Sequence, residues 1–400
     1  MTIVAEIGTS HQGKIEKALN MIDEAKNAGA DAVKFQWVYA DEILHPKTGF
    51  VNLPGGKTPL YDTFKLLECP LSFYRECSSY ARKNGLLFIC SPFGLRSLEE
   101  LISIKPDAIK IASPELNHIP LLKEVSKYVG KIPVIISSGV SRLSDIERAL
   151  EILRNFSASS DPYKNIPGSS LPEITLLHCI TSYPAPEEEY NVRLVKTLSE
   201  IFGLPCGISD HSLDPVLVPV LSTALGASMI EKHITLSKKT DGLDDPVALE
   251  EDAFFLMCHS VHQTLTLAQR FKKEEEAEKG GKENIKTEIT PSAFKEIIRQ
   301  LSYENDAERI EKILGDGVKR LADAEKLNYG RTNRSLHFMR SMKKGEKVSK
   351  KDIDVLRTEK ILSPGIGPEY LDDVLNCILT QDVEDGEGVR FSHFMLRDIK

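Results

Sequence analysis

A repeat constrains this chain more than any other feature. From residue 3 to about residue 270, a short apolar, β-branched run, a turn and an amphipathic helical stretch follow one another eight times. The runs are IVAEIG (3–8), AVKFQW (32–37), LLFICSPF (86–93), AIKIAS (108–113), PVIISSG (133–139), ITLLHCIT (174–181), CGISDH (206–211) and MIEKHITL (229–236). Between them lie stretches with helical period, such as KIEKALNMIDEAKNAG, closed by Gly29, SRLSDIERALEILRNF and LEEDAFFLMCHSVHQTLTLAQRF. A spacing of roughly 30 residues is that of a βαβ unit. Eight units predict a (β/α)8 barrel, the TIM-barrel architecture. The competing architecture, a doubly wound open sheet, uses about five or six strands and a glycine-rich first turn. Here the first turn reads GTSHQG, without GxGxxG, so the barrel is favoured.

The pattern then changes. KKEEEAEKGGKENIKTE carries charge and a Gly pair but no apolar period, and reads as a solvated linker, partly helical, with a weak helical pattern continuing to about 327. From 333 onward, the turn signals KKGE, SPGIGP and DGEG separate brief apolar runs, which predicts a small, mostly β domain. The expected division is a barrel over 1–271, a linker over 272–332 and a small domain over 333–400. The last unit is locally basic, with Arg331, Arg334, Arg340, Lys343, Lys344, Lys347, Lys350, Lys351 and Arg357 close together. Most of these are expected on a solvated face; the sharper expectation is that one reaches an anionic site.

Composition excludes several function classes. The chain has 400 residues, and 59 acidic against 51 basic residues give a formal charge of -8, which argues against a general nucleic-acid binder. No apolar run approaches the roughly 18 residues of a membrane span. MTIVAEIG has no basic leader pattern, so a cytoplasmic protein is expected. The seven cysteines are odd in number and contain no CxxC, so reduced thiols are expected rather than a disulfide framework.

If the barrel is right, the site lies at the carboxyl ends of its strands. Polar residues gather there: Glu6; Lys34 and Gln36, two apart and therefore on one face; Ser91; Lys110, Ser113 and Glu115; Ser137 and Ser138; Thr181 and Tyr183; Ser209 and His211; Glu231 and His233. A lone serine or threonine at a strand end usually caps the next helix, and His178 fits a hydrogen-bonded core residue. Lys34, Lys110, Glu6 and Glu231 are harder to dismiss, because an unpaired buried charge costs several kcal/mol. Methionine in place of either lysine would then preserve stability or raise it. Two lysines suit a phosphate or carboxylate, and two histidines on the final strands suit a divalent metal with open positions.

Taken in order, AEIGTSHQG, VKFQ, FICSPF, KIASPELN, SSG, LLHCITSYPAP, GISDHSLD and EKHITL with GLDDPVALE resemble the N-acetylneuraminate (sialic acid) synthase family, including the legionaminic and pseudaminic acid synthases. NRSLHFMRSMKKGEKVSKKDIDVLR with SPGIGP resembles that family's antifreeze-like (SAF) domain. The resemblance implies condensation of phosphoenolpyruvate with an N-acylated aminosugar, such as N-acetylmannosamine, to a nine-carbon 2-keto acid and phosphate. It implies that Lys34, Lys110, Ser113 and Ser209, helped by Ser91 and Thr181, hold phosphoenolpyruvate. His211 and His233 would bind Mn2+, with Mg2+ or Co2+ as alternatives. Glu6 and Glu115 would serve in proton transfer and water positioning. Gln36, Tyr183 and Asp244 would contact sugar hydroxyls. Arg357 would reach the partner's barrel in a domain-swapped homodimer.

The sequence departs from the family at Ser10 and Thr181, where asparagine is usual, near Gly56, in the segment HPKTGFVNLPGGKTPLY, and in the spacing after Arg357. These departures bear on the sugar rather than on the phosphoenolpyruvate chemistry. Two alternatives follow. One is an aldolase acting on a phosphorylated sugar, with Lys57 as a source of charge for the second phosphate. The other is a catalytically silent scaffold, against which Lys34, Lys110, His211 and His233 stand.

Overall fold

The computed structural model describes residues 1–53, 56–154, 161, 163–240, 242–278 and 289–394. Eight parallel strands close on themselves: β1 (Thr2–Gly8), β2 (Ala32–Trp37), β3 (Leu87–Pro92), β4 (Ala108–Ile111), β5 (Val134–Ser137), β6 (Ile174–Cys179), β7 (Cys206–Asp210) and β8 (Met229–His233). Each pairs with its neighbours in sequence, and β1 pairs with both β2 and β8, which removes the open-sheet alternative. A helix follows every strand. The first, Ile15–Asn27, buries Ala18, Met21, Ile22 and Ala25, an i, i+3, i+4, i+7 stripe, and Gly29 at φ +94° turns the chain back toward β2.

The strand period of two sorts the barrel interior into layers. Val4, Ala32, Ile89, Ala108, Ile135, Leu177 and Met229 point inward and form an apolar plug. Two residues further along the same faces stand Glu6, Lys34, Ser91, Lys110, Ser137, Cys179, Ser209 and Glu231. A further step brings Gly8, Gln36, Thr181, His211 and His233 to the mouth. The intervening residues, including Ala5, Phe35, Phe88, Ile109, Ile136, Leu176, Ile208 and Ile230, pack outward against the helices. A floor of hydrocarbon under a layer of charge thus follows directly from the alternation in each strand.

The region expected to be a solvated linker is largely folded. The helix after β8 runs from Glu251 to Glu278, and two more helices, Pro291–Leu301 and Ala307–Leu314, follow. Ile297, Ile310, Ile313 and Leu314 are buried. Their apolar stripes were diluted in the sequence by surrounding charge, which is the solvated side of each helix. Residues 279–288, including the Gly pair, lie outside the described residues.

The small domain contains β9 (Arg334–Phe338) antiparallel to β10 (Ile353–Arg357) and has its own core of Leu336, Phe338, Val348, Ile353, Val355 and Val389. It docks on the β2 loop. Arg357 N donates to Ile43 O at 2.9 Å, Ile361 N to Thr48 O at 3.1 Å and Thr48 Oγ1 to Thr358 O at 3.0 Å, while His45 Nε2 lies 3.0 Å from Asp385 Oδ1. His45 and Thr48, at the start of the segment that departs from the family pattern, are therefore part of the seat for the small domain. Within that segment, Lys57 stands over the Phe50 ring, 4.8 Å from its centroid. All seven cysteines are free thiols, and no described helix is long and apolar enough to cross a membrane.

Candidate active site

The charged layer forms one connected network. Lys34 Nζ is 2.8 Å from Glu6 Oε1 and 3.6 Å from Glu231 Oε1. Lys110 Nζ is 2.9 Å from each carboxylate oxygen of Glu231. Ser209 Oγ donates to Glu231 Oε1 at 2.9 Å, and Gln36 Nε2 donates to Glu6 Oε1 at 2.9 Å. Both lysines and both glutamates are buried, and the cations are compensated by carboxylates within the barrel.

The two glutamates differ electrostatically. Burial pushes Glu6 above its ordinary carboxyl range; Lys34 opposes the rise and the Glu231 charge adds to it. Burial acts on Glu231 in the same sense, but Lys110 and Lys34 outweigh it and hold that carboxyl down at about 2. Glu231 is the fixed anion, and Glu6 is the one able to carry a proton.

Several buried polar atoms have no hydrogen-bond partner among the described residues: Ser91 Oγ, Ser137 Oγ, Thr181 Oγ1, Glu6 Oε2 and His233 Nδ1. Unpartnered buried polar groups are costly, and these cluster at the strand ends of one barrel face. Ser113 Oγ accepts from Gly139 N at 3.0 Å beside them. A Cβ built at Gly139 would lie 2.1 Å from Thr181 Oγ1 and 2.9 Å from Ser113 Oγ, so only glycine allows the two hydroxyls this approach.

At the mouth, the His211 and His233 rings lie 5.4 Å apart between centroids, and Tyr183 covers His211 at 4.3 Å. His211 Nδ1 donates to Ile180 O at 2.8 Å, so in the neutral ring Nε2 carries the ligating lone pair; burial lowers this imidazole, but the neighbouring Cys179 outweighs it and raises it to about 9, so a metal ion there competes with a proton. Burial, then the nearby His211, pushes His233 well below the ordinary histidine value and keeps it neutral, the form that ligates metal. Asp244 Oδ2 is 3.9 Å from His233 Nδ1, and burial with the Glu6 charge raises Asp244 to about 6. No group of three metal-ligating side chains is gathered among the described residues. The pair fits a divalent ion that takes its other ligands from substrate and water.

Glu115 takes a different role from the one expected. Glu115 sits with both oxygens engaged: Arg334 Nε contacts Oε2, and Arg357 Nε is 3.0 Å from Oε1. Against the effect of burial, these guanidiniums hold its carboxyl below the ordinary range, so it anchors the small domain rather than carrying a proton. Arg357 spends its donors on Glu115 and lies 5.3 Å from the Phe93 ring centroid. In this chain Arg357 and Glu115 meet within one polypeptide. The connecting segment is stitched to this barrel, with Val192 N to Ile313 O at 2.9 Å, Arg193 N to Leu314 O at 3.0 Å, Asn333 Nδ2 to Val140 O at 3.1 Å and Arg334 N to Asn117 Oδ1 at 2.9 Å.

Sequence reasoning weighted Arg357 over Arg334, which is the fully buried member, with further bonds to Val355 O at 3.0 Å and Phe93 O at 2.8 Å. His178 is the core residue expected, its Nε2 2.6 Å from Tyr190 O.

Known proteins share this arrangement. The NeuB family model matches residues 21–273 and the SAF domain model residues 333–395. The N,N'-diacetyllegionaminic acid synthase of Campylobacter jejuni is 30% identical, over 97% of this chain and 98% of its own. The solved spore coat polysaccharide biosynthesis protein SpsE of Bacillus subtilis superposes with a TM-score of 0.73 at 28% identity, covering 99% of this chain and 96% of its own. The N-acetylneuraminic acid synthetase of Leptospira borgpetersenii, solved with citrate, gives 0.57 at 28% identity over 76% of this chain and 93% of its own.

Proposed function

The chain belongs to the NeuB family, and from that premise we propose that it is a nonulosonic acid synthase, joining phosphoenolpyruvate to an N-acylated aminosugar such as N-acetylmannosamine with release of phosphate. One observation carries the reading: two buried lysines and the unpartnered hydroxyls of Ser91 and Ser137 lie one layer below a pair of histidines, with the unpartnered Thr181 hydroxyl in the histidines' own layer.

Lys34 and Lys110 supply the positive potential for phosphoenolpyruvate, with Ser91, Ser113, Thr181 and Ser209 as hydroxyl partners. Glu231 aims both lysines while the site is empty of anion; burial is opposed and outweighed by Glu231 and Glu6 at Lys34, which is raised, whereas at Lys110 burial prevails and lowers the ammonium. His211 and His233 would hold a divalent ion, Mn2+ in the first instance, which when bound polarises the sugar aldehyde as a Lewis acid. C3 of phosphoenolpyruvate then forms a bond to the aldehyde carbon, whose oxygen takes a proton. Water adds to C2 and loses a proton, and the resulting tetrahedral centre expels phosphate by C–O cleavage, leaving the 2-keto acid. Glu6, with its raised carboxyl and free Oε2, is placed to exchange these protons. Gln36, Tyr183 and Asp244 at the rim are positioned to contact the sugar. The small domain, closed over the β2 loop, limits water at the mouth.

The test is phosphate release from phosphoenolpyruvate against a panel of N-acylated hexosamines, with product masses recorded. A nine-carbon acid from an unphosphorylated sugar supports this reading. Turnover of phosphorylated sugars alone favours the related aldolase, and no turnover with any sugar rejects the assignment.

A further inference from the structure

Beyond the strand-end residues, the segment that connects the helices to the small domain brings two charged side chains into the same region. Glu325 is 1% exposed, and its Oε1 accepts hydrogen bonds from Val140 N and from Thr181 N, both at 2.7 Å. Those amides belong to different loops, one after β5 and one after β6. A single oxygen therefore ties two strand ends together. The same atom would lie 3.2 Å from a Cβ at Gly139, next to Thr181 Oγ1 and Ser113 Oγ. Lys319, partly buried, donates from Nζ to Ser138 O at 2.9 Å, in the same loop after β5 as Val140.

We propose that Glu325 is a positioning residue for the phosphate-holding end of the site, setting the separation of the β5 and β6 loops, with Lys319 fixing the start of the β5 loop at Ser138. The inference deepens the phosphoenolpyruvate reading and rests on it. Three observations favour this role over a purely structural one. The contact is made to backbone amides, so it sets loop position without depending on loop side chains. The loops it joins carry the unpartnered Ser137 and Thr181 hydroxyls. Gly139, where no side chain fits, lies between them. Glu325 itself is an acceptor and cannot hold a phosphate; it acts through the amides and hydroxyls it arranges. The role also couples the small domain to the chemistry, because residue 325 lies only nine residues before Arg334, whose side chain is locked to Glu115.

The test compares Glu325→Ala with Glu325→Gln in the full-length protein. Calorimetric titration with phosphoenolpyruvate and steady-state kinetics with the best sugar of the panel are the readouts. The glutamine oxygen can still accept from both amides, so Glu325→Gln should bind phosphoenolpyruvate within about threefold of wild type. Glu325→Ala should bind at least tenfold more weakly, with KM for phosphoenolpyruvate rising by that factor and KM for the sugar nearly unchanged. Thermal melts check folding; if the alanine variant does not fold, Glu325→Asp, one methylene too short to span both amides, replaces it. Unchanged or tighter binding in the shortened variants overturns the inference. So does an equal loss in Glu325→Gln, or an equal rise in both KM values. Wild-type protein that fails to bind phosphoenolpyruvate at all overturns the functional reading itself, an outcome distinct from the others.

Discussion

Lys110 Nζ sits between the two carboxylate oxygens of Glu231, 2.9 Å from each, with both side chains buried. This pairing reverses what the sequence suggests for a methionine substitution. Lys110→Met would leave Glu231 with the more distant Lys34 at 3.6 Å and Ser209 as its partners. Breaking one side of a buried pair costs about 3–5 kcal/mol, so urea denaturation should show a loss of that order. Lys110→Met combined with Glu231→Leu removes both charges and should recover part of it. A single variant as stable as wild type would mean that the pair is not formed in solution.

The histidine pair predicts a stability signature of metal binding that does not depend on turnover. An ion bound only by the folded state at about 100 times its Kd adds about 2.7 kcal/mol. Mn2+ should therefore raise the Tm of EDTA-stripped wild type, and the rise should vanish in His211→Ala and His233→Ala. EDTA should silence the wild-type enzyme and Mn2+ restore it. Full activity in metal-free protein, or the same Tm rise in both variants, would reject the assignment.

The contact between Glu115 and Arg357 within one chain predicts the outcome of a mixing experiment. Lys34→Ala and Arg357→Ala should each be nearly inactive when made alone. If Arg357 serves its own barrel, every site in a mixture holds one defect and activity does not return. An exchanged small domain would instead restore about one quarter of the sites after random pairing, since half the dimers are hybrids with one good site of two. Recovery at that level, with subunit exchange confirmed by mass, would contradict the arrangement seen here.

The barrel was legible because its signal is local. Each strand is a β-branched run with period-two alternation, and the charges interrupting four of the eight runs, at Glu6, Lys34, Lys110 and Glu231, mark the layer above the apolar plug. The pairing of those charges was not legible, because Lys110 and Glu231 are 121 residues apart and only barrel closure brings them together. The helices at 291–314 were obscured by their solvated faces. Glu115 read as a base because a carboxylate at a strand end looks the same whether it meets solvent or two guanidiniums. Glu325 and Lys319 gave no signal at all: they sit in a charged stretch, and their importance lies in which backbone atoms they reach.

Buried neutral histidines make stability depend on pH. Burial is the leading cause in each case: it lowers His118 and His178 to about 3, and His11 and His337 to about 4. Unfolded, each has the ordinary value of 6.5. Between these limits the unfolded chain binds more protons than the folded one, so stability rises with pH there and falls as acid is added. The contribution is fully present above about pH 6.5 and decays below it, by up to about 1.4 kcal/mol per pH unit for each group. Urea midpoints at pH 7, 6 and 5 should therefore drop with increasing steepness. His337 Nδ1 donates to Gly386 O at 3.1 Å and lies in the small domain, away from His211 and His233. His337→Gln keeps a polar partner there and removes one titrating group, so its stability should fall less steeply than wild type over the same range, by about one proton's slope. A wild-type curve flat from pH 7 to 5, or a variant curve parallel to wild type, would show that these imidazoles are not held neutral by the fold.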